Sequence, residues 1–133
     1  MIIKTGVDII EVKRIEESIK KFDIVFLNKI FTENEIEYCE SKKTQKYQSY
    51  AARFAGKEAV LKAISDFLQN KFNVEWKDIE IINNQNGRPF VKLNKKLVDK
   101  IENYMNKKIN INFDISISHI KEMAIASVVV YID

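Results

Sequence analysis

The sequence predicts an α+β fold: one domain, residues 1–133, in which a mainly antiparallel sheet packs against a long helix. Three observations carry this expectation. Runs with strand character and runs with helix character segregate along the chain more than they alternate, which disfavours a doubly wound sheet. Ile109, Ile111, Phe113, Ile115 and Ile117 alternate strictly with polar residues, as a half-buried strand does. No proline interrupts the stretch from about Thr44 to Phe67, where small and apolar side chains recur at helical spacing. Neither a GxGxxG nor a P-loop glycine pattern occurs, so a Rossmann or Walker site is disfavoured.

Each element follows from local chemistry. Ile2, Ile3, Val7, Ile9 and Ile10 are β-branched and predict a first strand, in which Gly6 permits a bulge or the close approach of another backbone. Val12, Ile15, Ile19 and Phe22 give a first helix whose other side carries Arg14, Ser18 and Lys21. Thr32 and Glu35 form a capping box, with Phe31 and Ile36 at the hydrophobic-staple positions, and this marks the start of a second helix. In the long helix Ala52, Gly56, Ala59, Val60, Ala63, Ile64 and Phe67 make the core stripe. Ala51, Phe54, Ala55, Glu58, Lys62 and Ser65 share the opposite face. Ile79 and Ile81 suggest a strand, the turn from Asn83 to Pro89 contains an Asn-Gly pair, and Phe90, Val91 and Leu93 return as its hairpin partner. Leu97, Ile101 and Tyr104 mark a short helix. After the alternating strand, His119 to Glu122 turn the chain back into a last strand from Ala124 to Ile132.

Composition narrows the function classes. A chain of 133 residues with 46% hydrophobic content suffices for one real core. The single Cys39 excludes an intrachain disulfide framework and a cysteine-based zinc site, and fits a reducing compartment. No apolar run approaches the ~20 residues of a membrane span and no signal segment is recognisable, so a cytoplasmic protein without a membrane partner is expected. The net charge of +3 comes from lysine and arginine dispersed among acidic residues. Such a distribution permits an acidic partner and gives no argument for nucleic acid.

Two carboxylates and a lysine stand out. Asp8 lies inside a strand-forming run, where a carboxylate is disfavoured unless something pairs with it. A hard divalent cation is one such partner, and a solvent-facing position is the alternative. Glu58 and Lys62 lie one helical turn apart, in the orientation of a solvated pair worth about 0.2–0.5 kcal/mol, yet the same spacing suits a metal and a phosphate. His119, the only histidine, ends a strand after Ser116 and Ser118. A hydrogen-bonded structural role is the commoner one for such a residue. A triad with Asp114 is disfavoured, because Asp114, Ser116 and Ser118 fall on one strand face without a nucleophile elbow.

The segments GVDIIEVKRIE, RFAGKEAVLKA, NGRP and ISISHIKEMAIASVVV, in this order, resemble the motifs of the holo-acyl-carrier-protein synthase family, the short type of 4'-phosphopantetheinyl transferase. The resemblance implies that family's fold, and that Asp8 and Glu58 hold a Mg²⁺ engaging the diphosphate of coenzyme A. The serine hydroxyl of an apo acyl carrier protein would displace the β-phosphorus, taking the 4'-phosphopantetheine arm and releasing adenosine 3',5'-bisphosphate. Few protein groups need take part in such a transfer beyond those that position and neutralise.

In that scheme Lys62 balances phosphate charge, and Glu58 accepts the serine proton directly or through water. Arg53 lies near the nucleotide, Gly87, Arg88 and Pro89 border adenine, and Ser65, Ser118 and His119 complete the coenzyme contacts. Arg14, Ser18 and Lys21 would meet the carrier protein, and the family precedent is a homotrimer with sites between protomers. Two departures are visible: Ile64 to Leu68 replaces the usual glycine-containing turn, and Ile120 stands where a small polar residue is usual. A non-catalytic basic interaction domain would leave Asp8 unexplained, and a coenzyme A acyltransferase would lack its cysteine or histidine base.

Overall fold

The computed structural model describes residues 1–70 and 73–133. Among the described residues, five strands form two antiparallel sheets, packed with five α-helices of which one is central. β1 (Ile2–Glu11) pairs with β5 (Met123–Ile132), which pairs in turn with β4 (Ile111–His119), giving the order β1-β5-β4. β2 (Ile79–Asn83) and β3 (Pro89–Leu93) form the hairpin expected around the Asn-Gly turn, with Gly87 at φ 83°. That positive φ is where a residue without Cβ is favoured.

α1 (Val12–Phe22) buries Val12, Ile15 and Ile19, whereas Phe22, expected on the same stripe, is exposed at the helix end. α2 (Ile24–Ile30) has no counterpart in the sequence reading: it starts without a side-chain cap at Asp23, which sits at φ 48°. α3 (Glu33–Glu40) opens on the expected capping box, with Glu35 N–H donating to Thr32 Oγ1 and Thr32 N–H to Glu35 Oε1. α4 (Lys46–Ile64) is flanked by 3-10 turns at Lys43–Gln45 and Ser65–Phe67, which together reproduce the predicted long helix. α5 (Lys95–Met105) is capped by Asn94 Oδ1, which accepts from Leu97 N–H, and buries Leu97 and Ile101 while Tyr104 stays exposed.

The entire predicted core stripe of α4 is buried, and so are Ala51 and Ala55 from the other side. Its small residues let neighbouring backbones come close. A Cβ on Gly6 would lie 2.0 Å from Ala59 O and 2.9 Å from Ala63 N, so β1 touches α4 without any side chain between them. The close approach anticipated for Gly6 is therefore present.

Strand alternation divides β1-β5-β4 into two faces. Ala124, Ala126, Val128, Val130 and Ile132 of β5 are buried toward the core, with Gly6 and Ile10 of β1 beside them. The outer face presents Ile3, Val7, Ile9, Ile125, Val129 and Tyr131, each at least 36% exposed.

Candidate active site

Asp8 falls between Gly6 and Ile10 in the alternation of β1, and so on the face turned toward α4. Its side chain is 16% exposed, and Lys62 Nζ lies 3.1 Å from Oδ1 while donating to Val7 O at 3.0 Å. Lys62 thus reaches across to the strand and pairs there with Asp8. Burial of the strand and of one helix side brings the three residues together across more than fifty positions of sequence.

Three cavities distribute the remaining candidates. Asp8 and Glu58 line one of 330 Å³ with Arg14, Ser18, Phe26 and Phe54. Glu58 also lines a second, of 440 Å³, with Lys62, Ser65 and the apolar Leu61, Val74 and Trp76. Arg53, Gly87, Pro89 and His119 meet around a third of 250 Å³, with Tyr38, Lys42 and Asn83. Arg88 lines none of these and pairs with Asp114 at 2.7 Å. Ser118 shares the outer sheet face with Asp114 and Ser116, opposite to His119. Lys21 is exposed, its Nζ 5.2 Å from the centroid of the Phe22 ring. Within one chain, then, the carboxylates and the predicted nucleotide contacts occupy separate hollows.

Electrostatics beneath the site include a pair that sequence reasoning passed over. Lys57 and Glu35 are fully buried with Nζ 2.8 Å from Oε1. Nζ also donates to the carbonyls of Trp76 and Ile79, and Glu35 Oε2 accepts from Ile81 N–H. Burial pulls the Lys57 ammonium below the ordinary lysine range, and Glu35 opposes that shift. Only the position of Lys57 beside Glu58 hinted at it, because a helix read as two-faced gives no reason to bury a lysine. Asn83 was likewise missed: its position at the end of β2 carries no local signal.

Among the described residues no group of three or more His, Cys, Asp or Glu side chains is placed to hold a metal ion. Asp8 and Glu58, which line one cavity, offer a pair of carboxylate donors. Mg²⁺ suits so sparse a donor set, because it keeps waters and takes one or two carboxylates plus substrate phosphate.

Comparison with known proteins gives the family. The holo-[acyl-carrier-protein] synthase of Ruminiclostridium cellulolyticum is 42% identical over 125 residues, covering 94% of this chain and 89% of that protein. A crystal structure of the Helicobacter pylori holo-[acyl-carrier-protein] synthase in complex with coenzyme A superposes with a TM-score of 0.74 at 33% identity, over 96% of this chain and 99% of that one. An ACPS-CoA complex from Chronobacterium ammoniagenes, 21% identical, shares the fold with a TM-score of 0.83 over 100% of this chain and 99% of its own. The family model described as the 4'-phosphopantetheinyl transferase superfamily matches residues 4–122, a span holding Asp8, Glu58, Lys62 and all three cavities, and the chain belongs to that superfamily.

Proposed function

We propose that the chain, acting as one domain in the cytoplasm, transfers 4'-phosphopantetheine from coenzyme A to a serine of apo acyl carrier protein in a Mg²⁺-dependent reaction. The observation that carries this reading is the convergence of Asp8 and Glu58 on one cavity that Arg14 and Ser18 also line. Asp8 and Glu58 would hold the metal. When bound, it supplies neutralisation of the diphosphate charge that grows as the phosphoanhydride bond breaks.

The protein's own groups do the rest. Lys62, beside Asp8 and on the rim of the neighbouring cavity, offers an ammonium to the diphosphate or to the departing bisphosphate. Glu58 borders both hollows, which supports a role in which its carboxylate takes the serine proton as hydroxyl and donor meet. Arg53, His119 and the Gly87 to Pro89 turn would hold the nucleotide, and Arg14, Ser18 and Lys21 would guide an acidic carrier. Holding donor and acceptor in line is the larger part of such catalysis.

We further propose a homotrimer with sites shared between protomers. Its support is the outer face of the β1-β5-β4 sheet, where six exposed apolar side chains form a surface that monomers rarely leave open. The separate hollows of the carboxylates and the nucleotide contacts agree with completion by a neighbour. Incubation with apo carrier protein, coenzyme A and Mg²⁺, followed by mass spectrometry, tests the activity. The carrier should gain one phosphopantetheine arm, and an unchanged carrier mass at saturating metal would refute the assignment.

A further inference from the structure

Arg53 is 4% exposed, and among the described residues no carboxylate pairs with it. A buried guanidinium ordinarily requires an anion, because desolvating a charge is costly without one. Here its terminal nitrogen donates to Asn83 Oδ1, its Cζ lies 4.0 Å from the centroid of the Tyr38 ring, and Nε is left without a hydrogen-bond partner. Lys42 Nζ approaches the same ring at 4.7 Å, and both cations line the cavity with His119. The amide of Asn83 works in two directions, since its Nδ2 donates to Gly87 O at 2.7 Å. One side chain therefore fastens a helical arginine to the turn of a hairpin thirty residues away.

We propose that Asn83 is the positioning residue of this pocket, orienting Arg53 and the Gly87 turn together while leaving the guanidinium charge unneutralised for a phosphate. The inference rests on the reading above that this cavity takes the nucleotide end of coenzyme A. The choice of residue type follows from the chemistry. An aspartate at position 83 would hold Arg53 as well or better, but would cancel the charge that attracts the anion. An apolar residue would leave a second guanidinium nitrogen orphaned and the turn untethered. A neutral acceptor with a donor on its other atom satisfies both needs.

The test measures binding of coenzyme A and of adenosine 3',5'-bisphosphate to the full chain by calorimetry, beside steady-state kinetics and thermal melting. Asn83→Ala should weaken both ligands roughly tenfold or more and raise KM for coenzyme A, with kcat at saturation changed far less. Asn83→Asp should weaken them at least as much while melting no lower than Asn83→Ala. In an Arg53→Ala background, Asn83→Ala should cost clearly less than in the wild type, because the part of its effect that passes through the arginine is already gone and only the tether to Gly87 remains to be lost.

Wild-type affinity in Asn83→Asp would show a merely structural acceptor and overturn the proposal. So would an undiminished Asn83→Ala loss when Arg53 is already gone, or an Arg53→Ala variant that binds normally. Failure of the wild-type protein to bind either ligand is a separate result, which would remove the coenzyme reading itself and this inference with it.

Discussion

Asp8 is a carboxylate on the core-facing side of a strand, flanked in the alternation by two buried residues, with a half-exposed lysine for company. With its lysine half exposed to solvent, such a pair contributes little to stability, on the order of 0–1 kcal/mol. Asp8→Asn and Glu58→Gln should therefore change the melting temperature by only a few degrees, yet lower kcat by on the order of a hundredfold or more, because the variants would no longer hold the cation that neutralises the reacting phosphate. Near-normal turnover at limiting Mg²⁺ in both variants would exclude the carboxylate site. Cys39 has a different, purely structural signature. Burial pushes its thiol from the ordinary 9.0 up to about 11, with Ser49 Oγ donating to Sγ at 3.3 Å. In the unfolded chain the thiol ionises first, so its contribution to stability is complete below about pH 9 and is lost as pH rises to about 11. The slope is at most about 1.4 kcal/mol per pH unit. Burial of the Tyr50 hydroxyl, which donates to Glu40, acts in the same direction. Melting curves across this range should accordingly flatten in Cys39→Ala without becoming level.

Between elements, the buried Lys57–Glu35 pair joins α4 to α3, and its outer hydrogen bonds reach β2 and the turn at Trp76. Removing one partner strands the other's charge, so Lys57→Met should cost about 3–5 kcal/mol in urea unfolding. Adding Glu35→Gln to it should recover part of that loss. A single-variant cost under about 1 kcal/mol would contradict the geometry. The contrast between what local patterning reveals and what it hides is sharp here. The capping box at Thr32 and the stripe on α4 were legible because each depends on residues within one or two turns. So were the hairpin at Asn-Gly and the close approach at Gly6, where one residue type dictates the backbone. The α2 helix was not, since Ile24 and Val25 favour strands and no cap announces it. Lys57 was missed because its partners lie 19 and 22 residues off, the tie of Asn83 to Arg53 because it spans 30, and both because α4 is enclosed on nearly every side. Of the candidate site, Asp8, Glu58 and Lys62 do gather, while the tie between Arg53 and the hairpin exists only in three dimensions.

For the molecule as a whole, the division of the candidate residues among three hollows makes assembly a matter of chemistry. If a working site takes Glu58 from one protomer and His119 from its neighbour, then Glu58→Gln and His119→Ala chains, each inactive alone, should restore activity when mixed and allowed to exchange. Specific activity should likewise fall on dilution below the dissociation constant of the oligomer. A sedimenting monomer with full specific activity would refute the shared site. Within each protomer, the contact of Gly6 with the Ala59 carbonyl has a dynamic consequence. No side chain lies between the two backbones there to change rotamer, so β1 and α4 are expected to fluctuate together at this contact. The backbone spacing of Asp8 from Glu58 is then set before any ligand arrives, and a cation bound as proposed would meet a cradle whose backbone pays little ordering entropy. Backbone amides around Gly6 and Ala59 to Ala63 should exchange with deuterium only through global opening, at rates unchanged by added Mg²⁺ until metal binding stabilises the entire fold.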